Sequence, residues 1–209
     1  TGEAVSYRHN INDPNSLGSS NGFIVYQDRT GRVWVSAYDG GLHIYDQEND
    51  NFKRLYGYGA VENGLDVPTV NYIEEARDGA LWMASYTHGV IKYTDKDGFK
   101  LYGNEQGSGI CDDRVLHVLE DIQGVIWATT DYGIARFDQS IGDFVCLKDS
   151  FYGTGVRLIL QEPNGQIWVI PKDGGAYLYD RNTLESTPVS PFVDGGVNDA
   201  PMRITDGII

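Results

Sequence analysis

The sequence predicts an all-β fold built from a repeated four-stranded unit, and three observations carry that expectation. The composition holds 26 Gly, 14 Tyr and 4 Trp against 2 Met in 209 residues, a balance that favours short strands and tight turns over packed helices. The four tryptophans, Trp34, Trp82, Trp127 and Trp168, each follow a glycine by three residues, at Gly31, Gly79, Gly124 and Gly165. Successive tryptophans are 41 to 48 residues apart, the size of one supersecondary unit in a repeat architecture.

Within each unit the elements follow in a fixed order. An apolar β-branched residue stands nine positions before the Trp, at Val25, Ile73, Val118 and Ile159, and marks a first strand. The glycine turn then leads into a second strand through the Trp. A further glycine turn, at Gly40-Gly41, Gly89, Gly133 and Gly174-Gly175, precedes a third strand: Leu42 to Tyr45, Val90 to Tyr93, Ile134 to Phe137 and Ala176 to Tyr179. A fourth strand with half-exposed alternation is expected at Phe52 to Tyr56, Phe99 to Tyr102 and Phe144 to Leu147. Four antiparallel strands in this length make a β-propeller blade, which needs neighbours to cover both of its faces.

The expected organisation is a partial β-propeller over 1–209 of about four such blades. Residues 1–20 hold the outer strand, at Val5 to Arg8, and linker of a preceding blade; blades span 21–57, 68–103, 113–149 and 155–193; and 200–209 opens a further blade. A closed four-bladed ring is the structural alternative. The tryptophans are expected to be buried between blades. Cys111 and Cys146 are expected to be unbonded, because they fall before the first strand and on the fourth strand of one blade, roughly 14 Å apart at three strand spacings.

Formal net charge is −14, from 30 acidic against 16 basic residues, and with no basic patch this argues against a nucleic-acid partner. No stretch of about 20 apolar residues exists to cross a bilayer, so no membrane contact is expected from this segment. The start at Thr-Gly-Glu-Ala carries neither an initiator Met nor a signal pattern and reads as excised or processed. Two cysteines outside a CxxC pair say little about redox compartment.

The stretch Tyr7-Arg8-His9-Asn10-Ile11-Asn12-Asp13-Pro14-Asn15-Ser16-Leu17, followed by Asp28-Arg29-Thr30-Gly31-Arg32-Val33-Trp34 and Asp39-Gly40-Gly41-Leu42-His43-Ile44-Tyr45-Asp46, resembles the two-component regulator propeller repeat. The likeness extends over essentially the whole chain, with a departure at Pro171-Lys172 and unclear register near the C-terminus. It implies a segment of a seven-bladed propeller in the periplasmic or extracytoplasmic part of a hybrid two-component histidine kinase. It also implies oligosaccharide sensing, with output through a kinase outside this chain, and it admits a homodimer of the parent protein.

Function in a propeller gathers where the loops of several blades meet at one end. The loops between second and third strands offer Tyr38-Asp39, Tyr86, His88, Asp131-Tyr132 and Lys172-Asp173, and Asn71 and Arg157 share a slot eleven residues before the Trp. Phenols and carboxylates of this kind suit stacking on sugar faces and accepting hydroxyl hydrogen bonds. Each residue taken singly also has a plain role as a hairpin turn or strand end. Because the set is not basic, a neutral glycan is the expected ligand, since sulfated or uronic-acid polymers are held by several Arg or Lys groups.

Catalysis is not expected of this segment. A glycosidase needs two carboxyl groups about 5 to 9.5 Å apart, and the loop residues Asp39, Asp131 and Asp173 are only a weak sign of such a pair. His9, His43, His88 and His117 show no metal-ligand spacing, and no serine stands in a nucleophile elbow. Asp95-Lys96-Asp97-Gly98 matches part of a calcium loop but lacks its remaining ligands. No cofactor or metal is therefore expected. A secreted propeller hydrolase or lyase and a protein-interaction scaffold are the alternatives.

Overall fold

The computed structural model describes residues 4–56 and 69–189. Four four-stranded sheets follow one another along the chain, each a meander in which sequence neighbours pair antiparallel. Blade 1 is β1 (Gly22–Gln27), β2 (Val33–Ala37), β3 (Gly41–Asp46) and β4 (Asn51–Tyr56); blade 2 is β5 (Val70–Glu75), β6 (Leu81–Ser85), β7 (Val90–Thr94) and β8 (Gly98–Tyr102). Blade 3 is β9 (Val115–Glu120), β10 (Ile126–Thr130), β11 (Gly133–Asp138) and β12 (Asp143–Cys146); blade 4 is β13 (Val156–Gln161), β14 (Ile167–Pro171), β15 (Tyr177–Tyr179) and β16 (Ser186–Pro188). The expected opening of a further blade at 200–209 lies outside the described residues.

The turn ahead of each Trp shows why glycine recurs there. Gly31, Gly79, Gly124 and Gly165 have φ of 89°, 85°, 82° and 91°, a region that a residue with a Cβ adopts at a cost. Each of the four donates its N–H to the carbonyl three residues back. Blades 1, 3 and 4 add a side chain to the turn: Asp28 Oδ2 accepts the Trp34 Nε1–H at 2.8 Å, Asp121 Oδ2 that of Trp127 at 2.7 Å, and Glu162 Oε1 that of Trp168 at 2.6 Å.

Burial follows blade contacts. Each inner strand after the first packs on the inner and second strands of the blade before it. Trp34 and Leu42 of blade 1 share a cluster with Val70, Ile73, Leu81 and Met83 of blade 2. Trp82 of blade 2 lies with Val115, Val118, Ile126 and Ala128 of blade 3, and Trp127 with Val156, Ile159, Ile167 and Val169 of blade 4. An indole thus fills the space between its own blade and the next. Trp168 is only half-buried, because no described blade covers that face of blade 4.

In blades 1, 3 and 4 the connection into the blade first runs beside that blade's own outer strand. Phe52 N donates to Asn15 O at 2.8 Å in blade 1, Gly109 bridges Val145 in parallel in blade 3, and Ser150 Oγ donates to Ser186 Oγ at 2.8 Å in blade 4. Two expectations are corrected here. Cys111 and Cys146 are disulfide-bonded, with a Cα separation of 4.8 Å, because the connection carries Cys111 past β12 before it turns inward. Residues 5–8 form no strand; Tyr7 instead sets its ring edge-on against Phe52 at 5.2 Å, at the outer edge of blade 1.

Candidate ligand-binding face

Strand register gathers the candidate residues at one end of the sheets. The first residue of each inner strand pairs with the last of the second strand: Gly22 with Ala37, Val70 with Ser85, Val115 with Thr130 and Val156 with Pro171. The next residue along then closes the loop by a backbone bond. Tyr38 N donates to Asn21 O at 2.8 Å, Tyr86 N to Thr69 O at 3.4 Å, Asp131 N to Arg114 O at 3.1 Å and Lys172 N to Gly155 O at 2.8 Å. Tyr38, Asp39, Tyr86, His88, Asp131, Tyr132, Lys172 and Asp173 therefore stand at the same end, and Asn71 and Arg157 lie one residue into the inner strands of blades 2 and 4.

The side chains divide this end into two unlike halves. Over blades 1 and 2 it is aromatic: Tyr38 is 49% exposed, while the half-buried Tyr86 meets Phe23 edge-on at 5.9 Å. Over blades 3 and 4 charged groups join exposed tyrosines. Asp131 pairs with Arg114 at 3.1 Å and with Lys172. Gly155 makes room for that contact, since a Cβ there would stand 2.8 Å from Lys172 Cδ. Arg157 and Asp173 are exposed.

Several expected roles change in detail. Asp131 is committed to two cations and is not a free acceptor for sugar hydroxyls, which also weakens it as half of a glycosidase pair. Tyr86 is partly spent on Phe23, which leaves Tyr38 and Tyr132 as the open phenols. Tyr132, 45% exposed, meets Tyr152 edge-on at 5.2 Å, and the Lys148 ammonium stands over the Tyr152 ring at 3.4 Å. Asn71 Nδ2 donates to Leu116 O at 2.9 Å, and its Oδ1 is buried with no hydrogen-bond partner among the described residues. His88 Nδ1 lies 2.7 Å from Thr87 Oγ1, and Asp39 adopts φ 55° in its turn.

Phe23, Arg114, Lys148 and Tyr152 were not singled out from the sequence. Phe23 could have been, since it holds the same slot before its Trp as Asn71 and Arg157; the others lie on connections of unequal length and carry no periodic signal. Below the face, His117 is buried against Tyr72 with ring centroids 4.0 Å apart, and burial lowers its pKa to about 4. Among the described residues no group of three or more His, Cys, Asp or Glu side chains could hold a metal ion.

Repeated four-stranded blades with a loop-built aromatic and polar end define the chain as a β-propeller segment. No family model matches the chain, and no curated protein sequence does. Among solved structures it is similar to the extracellular domain of BT3049 from B. thetaiotaomicron, described as a hybrid two-component system, with a TM-score of 0.69, 20% identity and coverage of 94% of this chain and 25% of that one. The extracellular domain of BT4673 from the same organism, also described as a hybrid two-component system, gives a TM-score of 0.66 and 18% identity over 87% of this chain and 26% of that one. Virginiamycin B lyase from Staphylococcus aureus gives 0.61 and 16% identity over 86% of this chain and 58% of that one. This chain spans about a quarter of the length of the two B. thetaiotaomicron structures, and at these identities the likeness establishes the fold.

Proposed function

We propose that this chain is the ligand-sensing propeller segment of an extracytoplasmic two-component sensor. It binds an oligosaccharide at the loop end described above and passes that event to a kinase carried outside these residues. The observation that carries the reading is the likeness of 94% of the chain to part of the BT3049 extracellular domain. The Cys111–Cys146 disulfide supports an oxidising location, since such bonds persist outside the reducing cytoplasm. A binding role is preferred to catalysis because Asp131 is neutralised in place by Arg114 and Lys172.

Tyr38 and Tyr132 are the stacking platforms of this reading, and the ligand is a neutral glycan. Calorimetry of the complete parent protein against neutral and sulfated oligosaccharide panels tests it. Tyr38→Ala and Tyr132→Ala are each expected to weaken binding about 10-fold, as loss of an aromatic contact worth ~1.4 kcal/mol would. Tight binding of sulfated ligands alone, undiminished by either substitution, overturns the neutral-glycan site. Release of cleaved sugar from the same panel would favour the enzyme alternative.

A further inference from the structure

The three seams between described blades present the indole in one way and surround it in different ways. Ahead of each Trp the same turn closes by a backbone bond: Asp28 N donates to Arg32 O at 3.0 Å, Ala76 N to Ala80 O at 2.8 Å and Asp121 N to Val125 O at 2.9 Å. One aromatic slot of the next blade then meets the ring edge-on, Tyr93 with Trp34 and Phe137 with Trp82 both at 5.0 Å, and Tyr179 with Trp127 at 6.2 Å. Between blades 1 and 2 the space by the indole holds Asp28 with Arg32, and Arg32 extends to Tyr93 OH and Asp95 of the next blade. Between blades 3 and 4 it holds Asp121 with Arg181. Between blades 2 and 3 the positions that match Asp28, Arg32, Tyr93 and Asp95 are Ala76, Ala80, Phe137 and Gln139.

A cleft of about 410 Å³ opens where those side chains are small, lined by Ala76, Trp82, Lys92, Gln123, Phe137 and Gln139 among others. Its size is that of a small-molecule site, and it lies at the end of the sheets opposite the hairpin loops. Two carboxylates border it and both are engaged: Glu120 pairs with Arg77 at 3.2 Å, and Asp78 Oδ1 accepts the Ala80 N–H at 2.9 Å. The Trp82 Nε1–H, which meets an acid in each of the other three blades, has no acceptor among the described residues. Lys92 stands over the Trp82 ring at 4.9 Å and makes no ion pair among the described residues. A hydrogen-bond donor and a cation therefore line the same space with no anion between them.

We infer that this cleft binds a small molecule through a carboxylate, which accepts the Trp82 Nε1–H and pairs with Lys92 in the place that Asp28 and Asp121 fill from within the chain. Blade 4 shows that a carboxylate in contact with solvent holds this place without a guanidinium: the half-buried Glu162 accepts the Trp168 Nε1–H at 2.6 Å with Gln166 in the cation slot. The amides of Gln123 and Gln139 add donors and acceptors for the rest of the ligand. The site is separate from the loop end and does not depend on a glycan binding there.

Calorimetry of the complete parent protein with D-glucuronate, hexanoate and D-glucose tests this. At least one of the two acids is expected to bind about 10-fold or more tightly than glucose, and Lys92→Met to weaken that binding about 10-fold, as loss of one charge-assisted contact does. Ala76→Asp combined with Ala80→Arg rebuilds the blade 1 arrangement inside the cleft and is expected to abolish binding while the melting midpoint is held. Glucuronate binding alone supports the inference with a sugar acid as the ligand class; hexanoate binding, alone or with glucuronate, supports it with the carboxylate recognised apart from sugar hydroxyls. No binding of either acid, glucose bound as tightly as the acids, or an affinity undiminished by Lys92→Met or by the double substitution overturns it.

Discussion

Blades 1 and 2 bury the same indole and support it by different chemistry. In blade 1, Asp28 accepts the Trp34 Nε1–H at 2.8 Å and pairs with Arg32 at 2.7 Å, whose guanidinium carbon lies 5.5 Å from the Trp34 ring. Burial works to raise the Asp28 carboxyl, but hydrogen bonds from Thr30, Trp34 and Arg32 outweigh it and hold the pKa down to about 2. In blade 2 the two corresponding positions are Ala76 and Ala80, and Lys92 sits over the Trp82 ring at 4.9 Å instead. In these two blades the acid and its cation are present together or absent together, in line with the cost of an unpaired buried charge, whereas in blade 4 the half-buried Glu162 accepts the Trp168 Nε1–H at 2.6 Å with Gln166 in the cation slot. Blade 3 keeps the acid but takes its cation from the next blade, with Arg181 against Asp121 at 2.7 Å.

The largest expected effect distinguishes the two indoles directly. Trp34→Phe removes the donor to Asp28 as well as a ring, and is expected to cost about 3 kcal/mol in urea unfolding, against about 1–2 kcal/mol for Trp82→Phe; equal losses would break the comparison. Asp28→Ala leaves the buried indole N–H unpaired and should cost about 2 kcal/mol by the same measurement.

Acid sharpens the contrast through His43, whose place in blade 2 is taken by Ile91, since each faces the residue after its Trp. His43 Nε2 accepts the Gly18 N–H at 2.9 Å, tying the connection into blade 1, and burial lowers its pKa to about 4 from the ordinary 6.5. The fold therefore favours neutral His43, and its contribution is complete above pH 6.5 and lost as pH falls from 6.5 towards 4. Between pH 7.5 and 5 the native chain is expected to lose about 2 kcal/mol more stability than His43→Ile; parallel pH curves for the two proteins would refute this.

The smallest effect tests the pairing rule. Ala76→Asp alone buries an acid without a guanidinium and should destabilise by about 1 kcal/mol or more, and adding Ala80→Arg should recover most of that in a double-mutant cycle. Strict additivity would show that the acid and cation are independent.

The blade frame was legible because its spacing is set inside one sheet. Trp34, Gly31 and Val25 are fixed relative to one another by strand pairing and one turn, so their intervals survive in every copy. Contacts between a connection and a sheet have no such ruler. Cys111 reaches Cys146 because residues 108–111 run along β12, and the unequal lengths of the connections hide that path. The candidate end was legible for the same reason as the frame, since register places the hairpin loops. Its chemistry was not: Phe23 against Tyr86, and Arg114 with Lys172 on Asp131, depend on how one blade turns against the next and on what an adjoining connection supplies.

The disulfide also bears on how the chain would respond to tension. Cys111 and Cys146 are 35 residues apart, and the loop between them contains β9, β10 and β11 of blade 3. Pulling on the two termini can unravel the other blades, but while the bond holds it keeps that loop out of the load path. At ~3.4 Å per extended residue, roughly 120 Å of contour length is withheld from stretching. In single-molecule force spectroscopy, full extension with the bond intact should fall short of that reached after reduction by that amount.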